Sequence, residues 1–340
     1  MLSPAAIALA LLALLSLAGC GGSSRSSREA STGAGKLARM TKATLVLDFV
    51  PNAVHAGIYR ALGAGYYRRA NIDLKVIQPS ATAETLALID SGRADFGLAD
   101  GSDVAAQIAR GGDGEAVMAI AQRPLGGLIG LASSGLRSPA QLQGRTVGVT
   151  GVPSDVAVLD TEVRHAGGDP GKVRVVTSGF DGAQGLLAGK LAAFTGFVPD
   201  DGVRLQAAGH PIVAFRLDEN GGPAYPGLVA FTTRRLIAAD PALVASFVAA
   251  TVHGYEDTIA EPVRSLRELL SMNPSLAPGL THASLDAYLP LFAGGRVPFG
   301  TLQPHNLAAL SEWMVENHLI RSPVSPARYG TNRFVPRAGS

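Results

Sequence analysis

Side-chain chemistry in this chain would have to come from few places. Asp200-Asp201 are adjacent carboxylates that could act as an acid–base pair, but neighbouring residues on a strand or loop usually point apart, and a solvated loop accounts for them equally. The seven histidines are scattered without an HExxH pair, and the single cysteine, Cys20, cannot complete a tetrahedral metal set. There is no GxSxG elbow and no GxxxxGK[ST] phosphate loop. Gly111-Gly112-Asp113-Gly114 and Gly126-Gly127 lack the surroundings of a dinucleotide fingerprint and read as turns. An enzyme is therefore disfavoured, and neither a metal nor a cofactor is expected. Two polar clusters remain. Asp100-Gly101-Ser102-Asp103 follows one strand-like run, at the end of a parallel strand where α/β proteins bind ligands, although Ser102 or Asp103 could equally cap the next helix. Gly151, Pro153 and Ser154 stand at another strand–helix junction, where exposed amides could hold a polar group.

The elements that must position these residues alternate along the body. Strand-like runs at 44–47, 74–77, 94–98, 116–121, 128–131, 146–149, 173–176, 192–195, 212–215 and 228–231 are separated by helical periods, which predicts βα units and mostly parallel sheet. Helices are expected at 54–67, 83–90, 103–109, 155–165, 241–258, 263–270, 284–290 and 304–317. Ser138 should cap a short helix that opens on Pro139. The tail from Ser322 has little periodicity and should pack as an extended end or fray. The fold class is α/β, and two series of strands suggest two lobes around a cleft.

Composition sets the wider bounds. The chain has 340 residues, 47% hydrophobic and 16% charged, enough apolar content for substantial cores. A net charge of +2, with no basic cluster, gives no reason to expect a nucleic-acid partner. Leu2 to Ala18 is uncharged and rich in Leu and Ala, and it ends in small residues before Cys20. Leu17-Ala18-Gly19-Cys20 resembles the bacterial lipobox, although the leader has no Lys or Arg. That resemblance implies a lipoprotein signal peptide at 1–19, lipidation of Cys20 and a membrane anchor. The Gly- and Ser-rich stretch that follows predicts a flexible tether over 20–40.

The first strand–loop–helix reads LDFVPNAVHAGIYRALGAGYYRRANIDLKVIQP. With ADFGLADGSDV, AQRPLGGLIGL, SGLRSPAQLQGRTVGVTGVP and HAGGDPGKVRVVTSGFD, in consistent order over roughly residues 44–260, it resembles the SsuA/THI5-like (NMT1/THI5) family. Within that family the likeness is to bacterial binding proteins for thiamine pyrimidine precursors. The resemblance implies a type II periplasmic-binding-protein fold. Lobe 1 would take 41–128 and 227–340, and lobe 2 would take 129–226. It also implies an extracytoplasmic, lipid-anchored monomer that delivers a small molecule to an ABC permease and its ATPase.

Carried onto this chain, the resemblance places Asp48, Phe49, Asn52 and His55 at the ligand. Phe49 would stack on a flat ring, while Asp48 or Asn52 would meet ring nitrogens or an exocyclic amine. Asn52 could instead form a turn after Pro51, His55 could pack at the helix start, and Phe49 could belong to the core. Ser102, Asp103, Pro153 and Ser154 join the expected site, as do Phe197, Asp200, Asp201 and Tyr225. Two departures stand out: Phe49 replaces a common tryptophan, and Tyr225-Pro226-Gly227 lacks a following glutamate. The family's fungal members are enzymes that use a lysine, a histidine and a cysteine cluster. Ala99, Asp103 and the cysteine-free stretch from Gly222 to Leu228 match those positions here, which argues against that activity. A receptor of the same fold for riboflavin, an alkanesulfonate or another heteroaromatic compound is the alternative. A sulfonate would be opposed by Asp48, Asp103 and Asp200, and riboflavin would need a wider cleft. A secreted enzyme or sensory domain on the same fold is the other class.

Overall fold

The computed structural model describes residues 36–80, 82–293 and 297–337. The expected leader at 1–19, Cys20 and the first part of the tether lie outside the described residues. Residues 36–40, expected as the end of the tether, belong to the body. The Leu37 N–H donates to the Ala70 carbonyl (3.1 Å), and the Leu37 carbonyl accepts from the Asn71 side chain (2.6 Å). The apolar Leu37 side chain packs on the core, which is why the boundary falls earlier than composition implied.

Ten strands form two five-stranded sheets. They are β1 (Thr41–Val46), β2 (Ile72–Ile77), β3 (Phe96–Ala99), β4 (Gly114–Ala121), β5 (Gly126–Leu131), β6 (Thr146–Val149), β7 (Arg174–Thr177), β8 (Ala193–Phe197), β9 (Ile212–Arg216) and β10 (Leu228–Thr233). The first sheet has the order β2-β1-β3-β10-β4 and the second β7-β6-β8-β5-β9. In each sheet the first three strands are parallel, and one strand runs antiparallel between its neighbours. That antiparallel strand comes from beyond a crossover: β10 enters the first sheet after the whole second sheet has formed, and β5 enters the second directly after β4. β10 (LVAFTT) is buried along its whole length, as expected of a central strand covered on both faces.

The change of sheet falls between Ala121 and Gly126, so the expected lobe boundary at residue 128 cuts through β5. Hydrogen bonding decides this, because Gly126 pairs with Phe197 and Gly127 with Arg216. The two crossovers touch backbone to backbone. A Cβ on Gly227 would stand 2.4 Å from the Arg123 carbonyl oxygen. Arg123 Nε donates to Asp218 Oδ2 at 2.6 Å, and Arg216 donates to the Pro124 carbonyl at 2.9 Å.

Three helical expectations change. The period over 54–67 is broken into a turn at Ala53–His55 and helices at Ala56–Gly63 and Tyr66–Arg69, because Gly65 takes a left-handed φ of 73°. The helix expected at 284–290 runs from Pro278 to Phe292. The tail packs. Pro326–Tyr329 forms a helical turn, Tyr329 and Phe334 are buried, and the Thr331 N–H donates to the Ala116 carbonyl at 2.9 Å.

The helix Pro241–Ala260 holds the first lobe together. Asp240 caps it by accepting from the Leu243 N–H at 2.9 Å, and Pro241 occupies its first turn. Phe247 stacks on Phe96 from β3 with ring centroids 3.8 Å apart. Its Gly254 meets Gly57 of the helix Ala56–Gly63 so closely that a Cβ on Gly254 would lie 2.1 Å from the Gly57 carbonyl oxygen. The obstacle is backbone and cannot rotate away. Gly254→Ala should therefore destabilise the protein by about 1–3 kcal/mol, read as a lower denaturant midpoint with an unchanged slope.

Candidate functional site

The carboxyl ends of the parallel strands in both sheets open onto one cleft, the place where open α/β sheets present loops and helix starts to a ligand. β1 delivers Asp48, Phe49 and Asn52, while β3 delivers Asp100, Ser102 and Asp103. From the second sheet, β6 leads to Thr150, Ser154 and Asp155, β7 to Phe180, and β8 to Phe197, Asp200 and Asp201. Tyr225 on the return crossover closes the back. Of the twelve residues expected at the site, ten line the cleft.

His55 and Pro153 do not line it. His55 is 0% exposed and sits behind Asp48. Its Nδ1 accepts the Asn52 N–H (3.2 Å), so the ring proton is on Nε2, which faces Asp48 Oδ1 at 2.8 Å. Asn52 in turn caps the same turn, its side-chain oxygen accepting from the Val54 N–H at 2.8 Å. His55 thus orients Asp48 and Asn52 from beneath. Pro153 occupies the first turn of the helix Pro153–His165, where its missing N–H leaves no donor unpaired.

Among the described lining residues, two contacts join the lobes across the cleft. Ser154 Oγ donates to Asp103 Oδ1 at 2.8 Å. Phe49 meets Phe180 edge to face, with centroids 4.4 Å apart and ring planes at 78°. Five aromatic side chains line the cleft: Phe49, Phe180, Phe194, Phe197 and Tyr225. Tyr225 is held from behind by Trp313, whose ring lies 6.4 Å away at 22°.

The polar lining is acidic. Asp48, Asp100, Asp103, Asp155, Asp200 and Asp201 all reach it, and no lysine, arginine or histidine is among the described lining residues. Burial and, next, the charge of Asp103 push the Asp100 carboxyl well above the usual range. Burial also raises Asp103 and Asp155, although hydrogen bonds from Ser154 and Thr150 respectively oppose it. Asp201 is pushed up to about 7 by burial and by Asp200 beside it, against the pull of Arg204 and the Phe197 N–H. Arg204 itself pairs with Asp200 at 2.7 Å, next to the cleft. Carboxyls held this way present both a donor and acceptors at neutral pH, which suits a ring that carries an amine and ring nitrogens together.

Asp155, Phe180, Phe194 and Thr195 line the cleft without having been picked out from the sequence, and Asp100, named there only with its cluster, lines it too. A positional signal existed for two of them. Phe180 follows β7 as Phe49 follows β1, and Asp155 follows β6 much as Asp103 follows β3. Phe194 and Thr195 lie inside β8, and only strand orientation shows that they face the cleft.

A family model described as NMT1/THI5 like matches residues 52–265, and the chain belongs to that family. The formylaminopyrimidine-binding protein of Halalkalibacterium halodurans is 28% identical over 82% of this chain and 86% of its own. The 4-amino-5-hydroxymethyl-2-methylpyrimidine phosphate synthase THI5 of Saccharomyces cerevisiae is 26% identical over 71% of this chain and 74% of its own. Among solved structures, the alkanesulfonate-binding protein SsuA of Xanthomonas axonopodis, bound to MOPS, superposes with a TM-score of 0.69 at 16% identity. That match covers 87% of this chain and 99% of SsuA. The fold is that of the periplasmic binding proteins.

Asp201 predicts a pH dependence. Its folded-state pKa lies above the unfolded carboxylate value, so the folded form holds the extra proton between about pH 4 and pH 7, and stability falls as pH rises through that window. Asp201→Asn removes this loss. By calorimetric melting the variant should match the parent near pH 4 and exceed it by about 2 °C or more at pH 8.

Proposed function

We propose that this protein is the extracytoplasmic, lipid-anchored receptor of an ABC importer, and that its cleft binds a thiamine pyrimidine precursor of the formylaminopyrimidine type. The observation that carries the reading is the lining itself: five aromatic rings and six carboxylates, without a cationic side chain among the described lining residues. Rings favour a flat heteroaromatic body, and carboxylates favour one rich in N–H donors. An aminopyrimidine has both properties. The likeness to a protein named for formylaminopyrimidine supports the same ligand class.

The carboxylates weigh against the alternatives. A sulfonate would bring a fixed negative charge into a cleft that already carries six carboxylates, and the repulsion is strongest where water is excluded. A synthase reading asks for nucleophilic or basic side chains at the ligand, and the described lining has no lysine, histidine or cysteine.

The two lobes support delivery to a permease. A ligand that touches both stabilises the closed form by its difference in affinity for the closed and open forms, and a permease can read that form. In this reading the Gly- and Ser-rich stretch after Cys20 lets the body reach the permease while the lipid holds it at the membrane.

Calorimetric titration of the full-length protein with formylaminopyrimidine should give one-to-one binding at micromolar affinity or tighter. Phe49→Ala and Phe180→Ala should each weaken it by roughly tenfold, the scale of one lost aromatic contact. Folded protein that gives no heat at several temperatures would overturn the ligand. The anchor is checked separately: Cys20→Ala should move the protein from the membrane fraction to the soluble one, and continued sedimentation with membranes would overturn lipidation at this residue.

A further inference from the structure

A helix on the surface of a lobe ordinarily has one face to bury, and the helix Pro153–His165 buries two. Leu159 and Val163 face its own sheet in the second lobe, in one core with Leu128 and Val147. Ala157 and Val158 belong to a different core, which they share with Val104, Leu307, Leu310 and Trp313 of the first lobe. Ser154, Ala157, Val158, Thr161 and Arg164 recur at the three- and four-residue spacing that places them along one stripe of the helix. At the cleft end of that stripe Ser154 bonds Asp103. At the other end, away from the cleft lining, Thr161 and Arg164 reach Trp313 and Asn317, at the carboxyl end of the helix Pro304–Glu316 in the first lobe.

The polar groups of this second seam match one another. Trp313 Nε1 donates to Thr161 Oγ1 at 2.9 Å, the Thr161 hydroxyl donates to Asn317 Oδ1 at 3.4 Å, and Arg164 Nη1 donates to the same oxygen at 3.1 Å. Asn317 Nδ2 donates back to the Trp313 carbonyl at 2.9 Å, which holds the acceptor in place. Trp313 and Thr161 are both buried, so little water competes for their bond. The Trp313 ring also lies against Tyr225, which lines the cleft. One indole therefore stands between the back wall of the cleft and a side chain of the opposite lobe.

We propose that this seam, on the receptor reading given above, is a closure lock outside the ligand site: the Thr161–Trp313 contact sets how much of the protein is closed, and so how tightly it holds its ligand. Opening the cleft parts Trp313 from Thr161 and draws Ala157 and Val158 out of the core they share with the first lobe. Water can replace the lost polar partners, but it cannot replace the apolar contact, so the seam favours the closed form. Apparent affinity scales with the fraction of protein in the competent form. A residue that never touches the ligand then tunes affinity through the equilibrium between forms.

The chain has a single tryptophan, so tryptophan emission reports this seam directly. The test uses the full-length protein carrying Thr161→Val, which keeps the branched shape and removes the hydroxyl. Without ligand, Trp313 emission should move to longer wavelength. Amide exchange should rise in loops 48–52 and 179–182, which meet across the cleft through Phe49 and Phe180. Formylaminopyrimidine at saturation should return both signals toward the parent's, with affinity weakened roughly fivefold, the scale of one lost hydrogen bond. Arg164→Ala should move the same readouts in the same direction by less, and it decides the matter if Thr161→Val does not fold. Emission, exchange and affinity equal to the parent's in the folded variants overturn the lock. Shifted emission with unchanged exchange in the two loops also overturns it, because the defect is then local to the seam. A parent that binds no formylaminopyrimidine overturns the ligand reading alone, since emission and exchange without ligand still decide the lock.

Discussion

The molecule depends on an exchange of strands between its two sheets. Each sheet holds three parallel strands, and an antiparallel strand that adjoins a crossover is hydrogen-bonded into it, β10 in the first and β5 in the second. The second sheet is complete once the chain has crossed to it, and the first only after the chain has crossed back and added β10. The crossovers lie against one another, with Gly227 packed on the Arg123 backbone and Arg123 bonded to Asp218. A joint made of two short, touching segments permits rotation of one lobe on the other while both sheets stay intact. The same arrangement turns the carboxyl ends of both parallel sets toward each other, and the cleft is the consequence.

The cleft trades stability for recognition. Placing six carboxylates around a partly enclosed space raises the pKa of several of them, and each raised carboxyl lowers stability at neutral pH relative to a chain without it. The first-lobe core is continuous from β1 to the helix Pro241–Ala260, with Phe96, Phe247 and Tyr67 stacked in its centre. Strain of this kind at a binding site has a physical use: a ligand that relieves it gains affinity only in the conformation where all the groups converge. Contacts that already reach across the cleft, Ser154 to Asp103 and Phe49 to Phe180, lie where such convergence would be read.

His55 illustrates why residue type alone misleads about role. A histidine next to a ligand loop invites assignment as a contact, and its family position agrees. Its burial and its two engaged nitrogens make it a support for Asp48 and Asn52 instead. Glu162 makes the same point from the other side. It lies on the helix Pro153–His165, is fully buried, and is pushed up to about 9 by burial against a hydrogen bond from the Leu128 backbone, so it is carried as a neutral acid. Nothing in its neighbours along the chain marks it as buried.

The sequence by itself determined the alternation of strands and helices, the α/β class and the loops that would carry the site. These follow from local periodicity and from cap residues such as Ser138 and Asp240, which act within a few positions. It also pointed to Ser102 and Asp103, because they sit where a strand ends, while Asp48, Phe49 and Asn52 came from the family resemblance. Only the tertiary structure decided which sheet β5 joins, that the tail packs through Tyr329 and Phe334, and that Asp100, Asp155, Phe180 and Thr195 meet in one cleft. The physical reason is that strand pairing, burial and the meeting of charges are relations between residues far apart in the chain, and no local pattern encodes which distant partner each will find.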